Sequence, residues 1–216
     1  MVKDPKRRAA AHRTFRRNDG GVTIITAMAG KTKGNPRSSG YQRSERDLYT
    51  EPEWAVEALL DAEKIEGPIW DPACGTGTIP RVCRRRGLVA CGTDIADKPR
   101  SLRHDFLMDA PMATTRDMPI QSIICNPPFK LAEEFIRHAV VDLKVDVAAF
   151  LLRLAFLEGQ ARRKMFERTP LARVLVFSKR VSMPPPGTKQ VGGAVAFAWF
   201  VWRRGHVGPP TIGWLP

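Results

Sequence analysis

The chain has 216 residues, 43% of them hydrophobic, and a formal net charge of +13. That length suits one domain with a sizeable core, and that apolar content excludes a disordered chain. No apolar run is long enough to span a bilayer, so no membrane partner is expected; the longest, residues 194–202, is strand-sized.

The charge is unevenly placed. Residues 1–44 carry eleven Lys/Arg against Asp4 and Asp19, residues 45–152 thirteen against eighteen acids, and residues 153–216 eleven against Glu158 and Glu167. Basic ends around an acidic middle fit a polyanionic substrate. Cys74, Cys83, Cys91 and Cys125 form no C-x-x-C pair and have no His at zinc-ligand spacing. No metal is expected; the thiols read as small buried side chains in a reducing compartment, which implies a cytoplasmic location.

Residues 1–44 show neither a helical nor a strand period and are rich in Arg, Lys, Gly and Ser. They read as a disordered basic arm, with the folded domain at 45–216. Arg16-Arg17 ahead of the apolar 22–29 has the outline of a signal peptide but too short an apolar core. Met28 offers an alternative start, with 1–27 as an upstream extension.

Asp47 to Pro52 opens the fold. Thr50 is placed to cap a helix and Pro52 to sit in its first turn. Trp54, Val56, Leu59 and Leu60 give that helix an apolar face to about Glu63. Residues 68–70 form a short strand ending at Asp71, and Gly75 and Gly77 then allow a tight turn and close backbone approach to a ligand. A helix is expected from Thr78 to Arg86, stopped by Gly87. Residues 88–93 make the second strand, ending in Asp94. An acid about 20 residues past a glycine loop is where ribose hydroxyls are held in dinucleotide folds. A weak third strand covers 102–105, and the Pro- and Met-rich 109–119 is a loop.

Residues 120–125 read as a buried strand. Asn126-Pro127-Pro128-Phe129 ends it, because two prolines without N–H groups cannot continue a ladder. The chain thus leaves the sheet at a strand's carboxyl end, where ligands bind in open α/β sheets. A helix over 131–143 and a strand over 145–152 follow, with Arg153 at the rim. Next come a helix over 156–168 and strands over 171–177 and 195–202, the last with Phe197, Trp199, Phe200 and Trp202 expected mostly in the core. The polar, Pro- and Gly-rich 178–193 is a candidate substrate-contacting loop. Lys179, Arg180 and Lys189 would touch phosphates and Gln190 a base edge.

Asp71-Pro72-Ala73-Cys74-Gly75-Thr76-Gly77 followed by Asn126-Pro127-Pro128-Phe129 resembles the S-adenosylmethionine-dependent amino-methyltransferases, within them the DNA adenine-N6 group. That family carries D-P-x-x-G-x-G after its first strand and [DN]-P-P-[FYW] after its fourth. The resemblance covers roughly residues 45–216 and is closest to small phage or mobile-element members. It implies a doubly wound Rossmann-like α/β sheet of seven mostly parallel strands, with the last strand antiparallel and inserted between the fifth and sixth. It implies S-adenosyl-L-methionine as cofactor. Tyr49 and Thr50 would line its methionine end, Asp71 would lie near the same part, and Ala73, Gly75 and Gly77 would border it with backbone. Asp94 would hold the ribose, Ile95 cover the adenine, Asp105 accept from the adenine amine and Phe106 stack nearby. His104 stands where the family has glycine.

The chemistry follows from the amine. An adenine amino nitrogen is a weak nucleophile, so the site must accept hydrogen bonds from its protons. Asn126 offers a side-chain oxygen and Pro127 a carbonyl, both preorganised by a rigid turn. Phe129 gives a flipped base a face to stack on. The sulfide leaves neutral, so neither metal nor strong base is required. With no large recognition domain, a short or relaxed DNA target is expected. RNA adenine-N6 transfer, cytosine-N4 transfer, protein glutamine-N5 transfer and a non-enzymatic nucleic-acid-binding subunit stand as alternatives, with Asn126 favouring adenine over cytosine.

Overall fold

The computed structural model describes residues 49–96, 101–109, 119–183 and 195–216. The basic arm 1–44 and the loop residues Lys189 and Gln190 lie outside the described residues.

The described residues form the strands β1 (Ile69–Asp71), β2 (Ala90–Asp94), β3 (Leu102–Arg103), β4 (Ser122–Cys125), β5 (Val147–Arg153), β6 (Leu171–Phe177), β7 (Phe197–Arg203) and β8 (Thr211–Leu215). They form one sheet in the order β3-β2-β1-β4-β5-β7-β6-β8. β1 pairs in parallel with β2 and β4, and β4 with β5. β7 is inserted antiparallel between β5 and β6, where the resemblance put it.

Two expectations are corrected. The sheet has eight strands, and the antiparallel strand is not the last, because β8 adds to β6 in parallel. Thr211–Leu215 gave no strand signal because it lies on the sheet edge with only Leu215 buried. A Cβ on Gly213 in its middle would lie 2.9 Å from Leu175 Cδ2, so that side chain would have to shift.

Among the described residues, four α-helices cover the two faces: α1 (Glu53–Ala62), α2 (Thr78–Arg85), α3 (Ala132–Arg137) and α4 (Gln160–Arg168). Thr50 does not cap α1. Pro52 precedes the helix at φ −72°, ψ 145° with no side-chain cap, and its carbonyl accepts from the Ala55 N–H at 3.0 Å. Proline's fixed φ starts this helix in place of a hydroxyl. The helix expected over 131–143 is three pieces: a 3₁₀ turn (Phe129–Leu131), α3, and a wide i→i+5 turn (His138–Asp142). The one expected over 156–168 is broken at Gly159, whose φ of +115° separates a 3₁₀ turn (Leu154–Leu157) from α4.

β5 shows how the core is divided. Ala149 and Leu151 pack with Ala55, Leu59, Ile79 and Val82 of α1 and α2, whereas Ala148, Phe150 and Leu152 pack with Phe135 and Ile136 of α3. Alternate residues of a strand face opposite sides, so a run buried throughout means a sheet covered on both faces. Three tryptophans are buried with their indoles satisfied: Trp199 Nε1 donates to the Ala55 carbonyl at 2.8 Å, Trp202 Nε1 to Thr169 Oγ1 at 3.0 Å and Trp70 Nε1 to Thr93 Oγ1 at 2.9 Å. Aromatic area then stabilises without an orphaned donor. At the far end of α1, the buried Glu63 carboxylate accepts from Arg173 at 2.6 Å and Arg203 at 2.5 Å. This clamp fixes α1 to β6 and β7, and with it the segment that enters the site. Parallel strands bring the ends of β1, β2, β4 and β5, carrying Asp71, Asp94, Asn126 and Arg153, to one edge.

Candidate active site

The loop after β1 is held by backbone bonds. Cys74 N–H donates to the Thr93 carbonyl at 2.9 Å, and Gly77 N–H turns back to the Cys74 carbonyl at 2.6 Å. Asp94 joins the loop to the end of β2: Oδ2 accepts from Gly75 N–H and Oδ1 from Ala96 N–H, both at 2.9 Å. Gly75 at φ +51° and Gly77 at φ +79° adopt a left-handed backbone that L side chains resist. Beneath the loop lies Gly92 of β2, where a Cβ would sit 2.8 Å from Cys74 Cβ. The loop therefore rests on bare backbone.

Two buried carboxyls lie beside it, Glu51 7% and Asp71 1% exposed. Asp71 Oδ1 accepts from Ala73 N–H at 3.3 Å, and the Cys125 thiol also bonds to Asp71. Burial first, then the neighbouring Glu51 charge, raises the Asp71 carboxyl well above its usual range. Burial raises Glu51 to about 7.

Asn126 follows β4 directly. Its Nδ2 donates to the Tyr49 carbonyl at 2.8 Å and to Glu51 Oε2 at 3.1 Å, with Met183 Sδ at 3.7 Å. Its Oδ1 is buried and has no hydrogen-bond partner. The side-chain nitrogen is thus anchored while the oxygen is left to accept. Pro127 is buried behind it. Phe129 sits in a stack: the Tyr49 ring lies 5.9 Å away at 25°, Phe197 at 6.0 Å, and the Arg153 guanidinium lies over the Phe129 ring at 4.4 Å. Arg153 Nε is buried without a partner.

A cavity of about 770 Å³ opens above the edge, within the range of small-molecule sites. Of the residues singled out from sequence, it brings together Tyr49, Thr50, Ala73, Gly75, Asp94, Ile95, Asp105, Phe106, Asn126 and Pro128. Asp71, Gly77, Pro127 and Phe129 are not on its wall. Phe106 is 2% exposed and packs edge-on to Trp70 at 5.1 Å, and Asp105 Oδ1 accepts from Leu107 N–H at 3.0 Å. Lys179 and Arg180 stand exposed on the segment after β6, Lys179 Nζ 5.2 Å from the Trp54 ring centre. Among the described residues no group of His, Cys, Asp or Glu could hold a metal. No described helix is long and apolar enough to cross a membrane.

Glu51, His104, Leu131 and Phe135 also form the wall and were not anticipated. His104 is 7% exposed with Nε2 unpartnered. The signal for Glu51 was present: an acid between Thr50 and Pro52, next to a motif already singled out. A buried role for it could not be told from an ordinary first-turn carboxylate.

The architecture is the Rossmann-like methyltransferase sheet, with the cavity at its carboxyl edge. Among solved structures, the chain is similar to a candidate RNA methyltransferase from Pyrococcus horikoshii (13% identity, TM-score 0.52, covering 74% of this chain and 87% of that one). It also matches magnesium protoporphyrin IX methyltransferase from Synechocystis PCC 6803 with bound SAM (13% identity, TM-score 0.48, 71% and 79%) and the 23S rRNA methyltransferase ErmE (15%, 0.48, 74% and 70%). At these identities the likeness is one of fold. By sequence, the chain matches no protein-family model and no curated protein.

Proposed function

We propose that the chain is an S-adenosylmethionine-dependent methyltransferase acting on an exocyclic amine of nucleic acid, with adenine N6 in DNA as the favoured target. The observation that carries this reading is the Asn126 amide: nitrogen anchored, oxygen buried and unpartnered at the cavity. An acceptor held in that way fits an amine whose protons must be bound as its nitrogen becomes tetrahedral.

The wall fits the cofactor. The glycine loop brings bare backbone to the cavity, the Glu51 carboxyl suits the cationic methionine end, and Asp94 on the wall would accept from the ribose hydroxyls. Ile95, Phe106, Leu131 and Phe135 offer apolar cover for the adenine, with Asp105 beside them. Bound there, the cofactor supplies an electrophilic methyl group. The chain's own part is to exclude water, accept from the amine protons through Asn126 and the Pro127 carbonyl, and hold the base against Phe129. A base on Phe129 would displace the Arg153 guanidinium, freeing it for a phosphate or a base edge. The basic 153–216 segment, with eleven Lys/Arg against two acids, supports a nucleic-acid partner over a protein one.

Methyl transfer from labelled S-adenosylmethionine to unmethylated duplex DNA and, in parallel, to total RNA tests this, followed by nucleoside analysis. N6-methyladenine in DNA is the expected product. Label confined to RNA would keep the site and move the substrate. Cofactor binding with label in neither would remove the nucleic-acid reading.

A further inference from the structure

We propose that Glu51 is a positioning residue for Asn126: its ionised carboxylate holds the amide nitrogen, keeping the oxygen as the amide's unpartnered acceptor, and its protonation releases that hold. The kinetic part of this proposal rests on the methyltransferase reading; the structural part does not.

Three observations support it. Glu51 lines the cavity and is 7% exposed. Its Oε2 is 3.1 Å from Asn126 Nδ2, and the other short acceptor on that nitrogen is the Tyr49 carbonyl, two residues earlier. Asn126 Oδ1 has no partner. A protonated Glu51 is a weaker acceptor and presents an O–H donor beside an amide whose oxygen lacks one. A rotated amide then becomes the better match.

The groups that set the ionisation lie on several elements. Burial is the largest influence and raises the pKa to about 7; the Glu51 backbone, Asn126 and Arg81 of α2 pull it down. Asp71 of β1 and Cys125 of β4 face it, and Asp94 of β2 acts on Asp71. The carboxyl therefore ionises as pH rises through about 7, and the anchored amide is the high-pH state.

The test is the Asn126 side-chain NH₂ resonance pair in ¹⁵N-labelled full-length protein, identified by its loss in Asn126→Ala. We expect the pair to shift with a midpoint near pH 7 and to stay fixed in Glu51→Gln, which keeps an acceptor but cannot titrate. A pair that does not move with pH in the wild type, or moves equally in Glu51→Gln, overturns the proposal. Asp71→Asn should keep the titration with its midpoint little changed, because the Glu51 charge raises Asp71 and not the reverse; an abolished titration would assign it to Asp71 and overturn the proposal. In single-turnover transfer, the wild-type rate should climb to a plateau above about pH 7 and the Glu51→Gln rate should be flat. Absence of transfer to DNA and RNA alike would refute the functional reading, and the resonance experiment would still decide the role of Glu51.

Discussion

The two loops that meet at the cavity are built on opposite plans. In the glycine loop after β1, N–H groups of Cys74, Gly75 and Gly77 are taken up by Thr93, Asp94 and Cys74 in turn. The turn after β4 is rigid through its prolines and leaves one strong acceptor, Asn126 Oδ1, without a partner. A loop braced in this way presents a fixed shape and suits binding. A rigid turn with one unmet acceptor suits recognition of a donor that arrives later, at the cost of a buried polar atom of about 1–3 kcal/mol. The comparison teaches that the two halves of the site can be damaged separately.

The largest effect is expected at the open acceptor. Asn126→Ala should lower methyl transfer by roughly 10²–10³-fold, as loss of one preorganised polar group does, with cofactor affinity by calorimetry nearly unchanged. Retained turnover would put the acceptor elsewhere. Asp94→Ala attacks the other plan. It should weaken cofactor binding by about tenfold or more, from loss of a charged hydrogen-bonding group, and should loosen the Gly75 N–H as well. Unchanged affinity would mean that the ribose contact lies on another residue.

Gly92→Ala sharpens the contrast, because it touches only the support of the first loop. Its Cβ would lie 2.8 Å from Cys74 Cβ and 3.1 Å from Pro80 Cγ. Overpacking of this kind costs about 1–3 kcal/mol, which at this size is a fall in Tm of roughly 2–12 °C. Unchanged Tm and cofactor affinity would show that the loop is not braced there. The smallest effect is expected away from both loops. Glu53 on α1 meets Arg81 at 2.8 Å and Arg85 at 2.9 Å across exposed surface. Glu53→Gln should move Tm by no more than about 2 °C, and less in high salt.

Much of this organisation was legible in the chain because its cues are local. Proline ends a strand wherever it falls, and Asn126 was placed at the end of β4 from Pro127 and Pro128 alone. Gly75 and Gly77 marked a left-handed turn that the backbone adopts. Buried strands such as β5 read clearly, since six successive buried residues leave little ambiguity. Edge and boundary features were harder. β8 has one buried residue and leaves no periodic trace, and the helix expected from 156 begins only after Gly159.

The sequence by itself determined where the chain must turn, which strands are buried on both faces and which side chains stand at strand ends, because each follows from the backbone limits of Pro and Gly or from apolar periodicity. Only the tertiary structure decided what those side chains meet. It brought Tyr49 and Glu51 to the nitrogen of Asn126, 75 and more positions away, set Arg153 over Phe129, and buried Glu51 and Asp71 side by side. Proximity across the sheet and loss of water are properties of the folded molecule, and they turn an ordinary asparagine and an ordinary glutamate into an oriented pair.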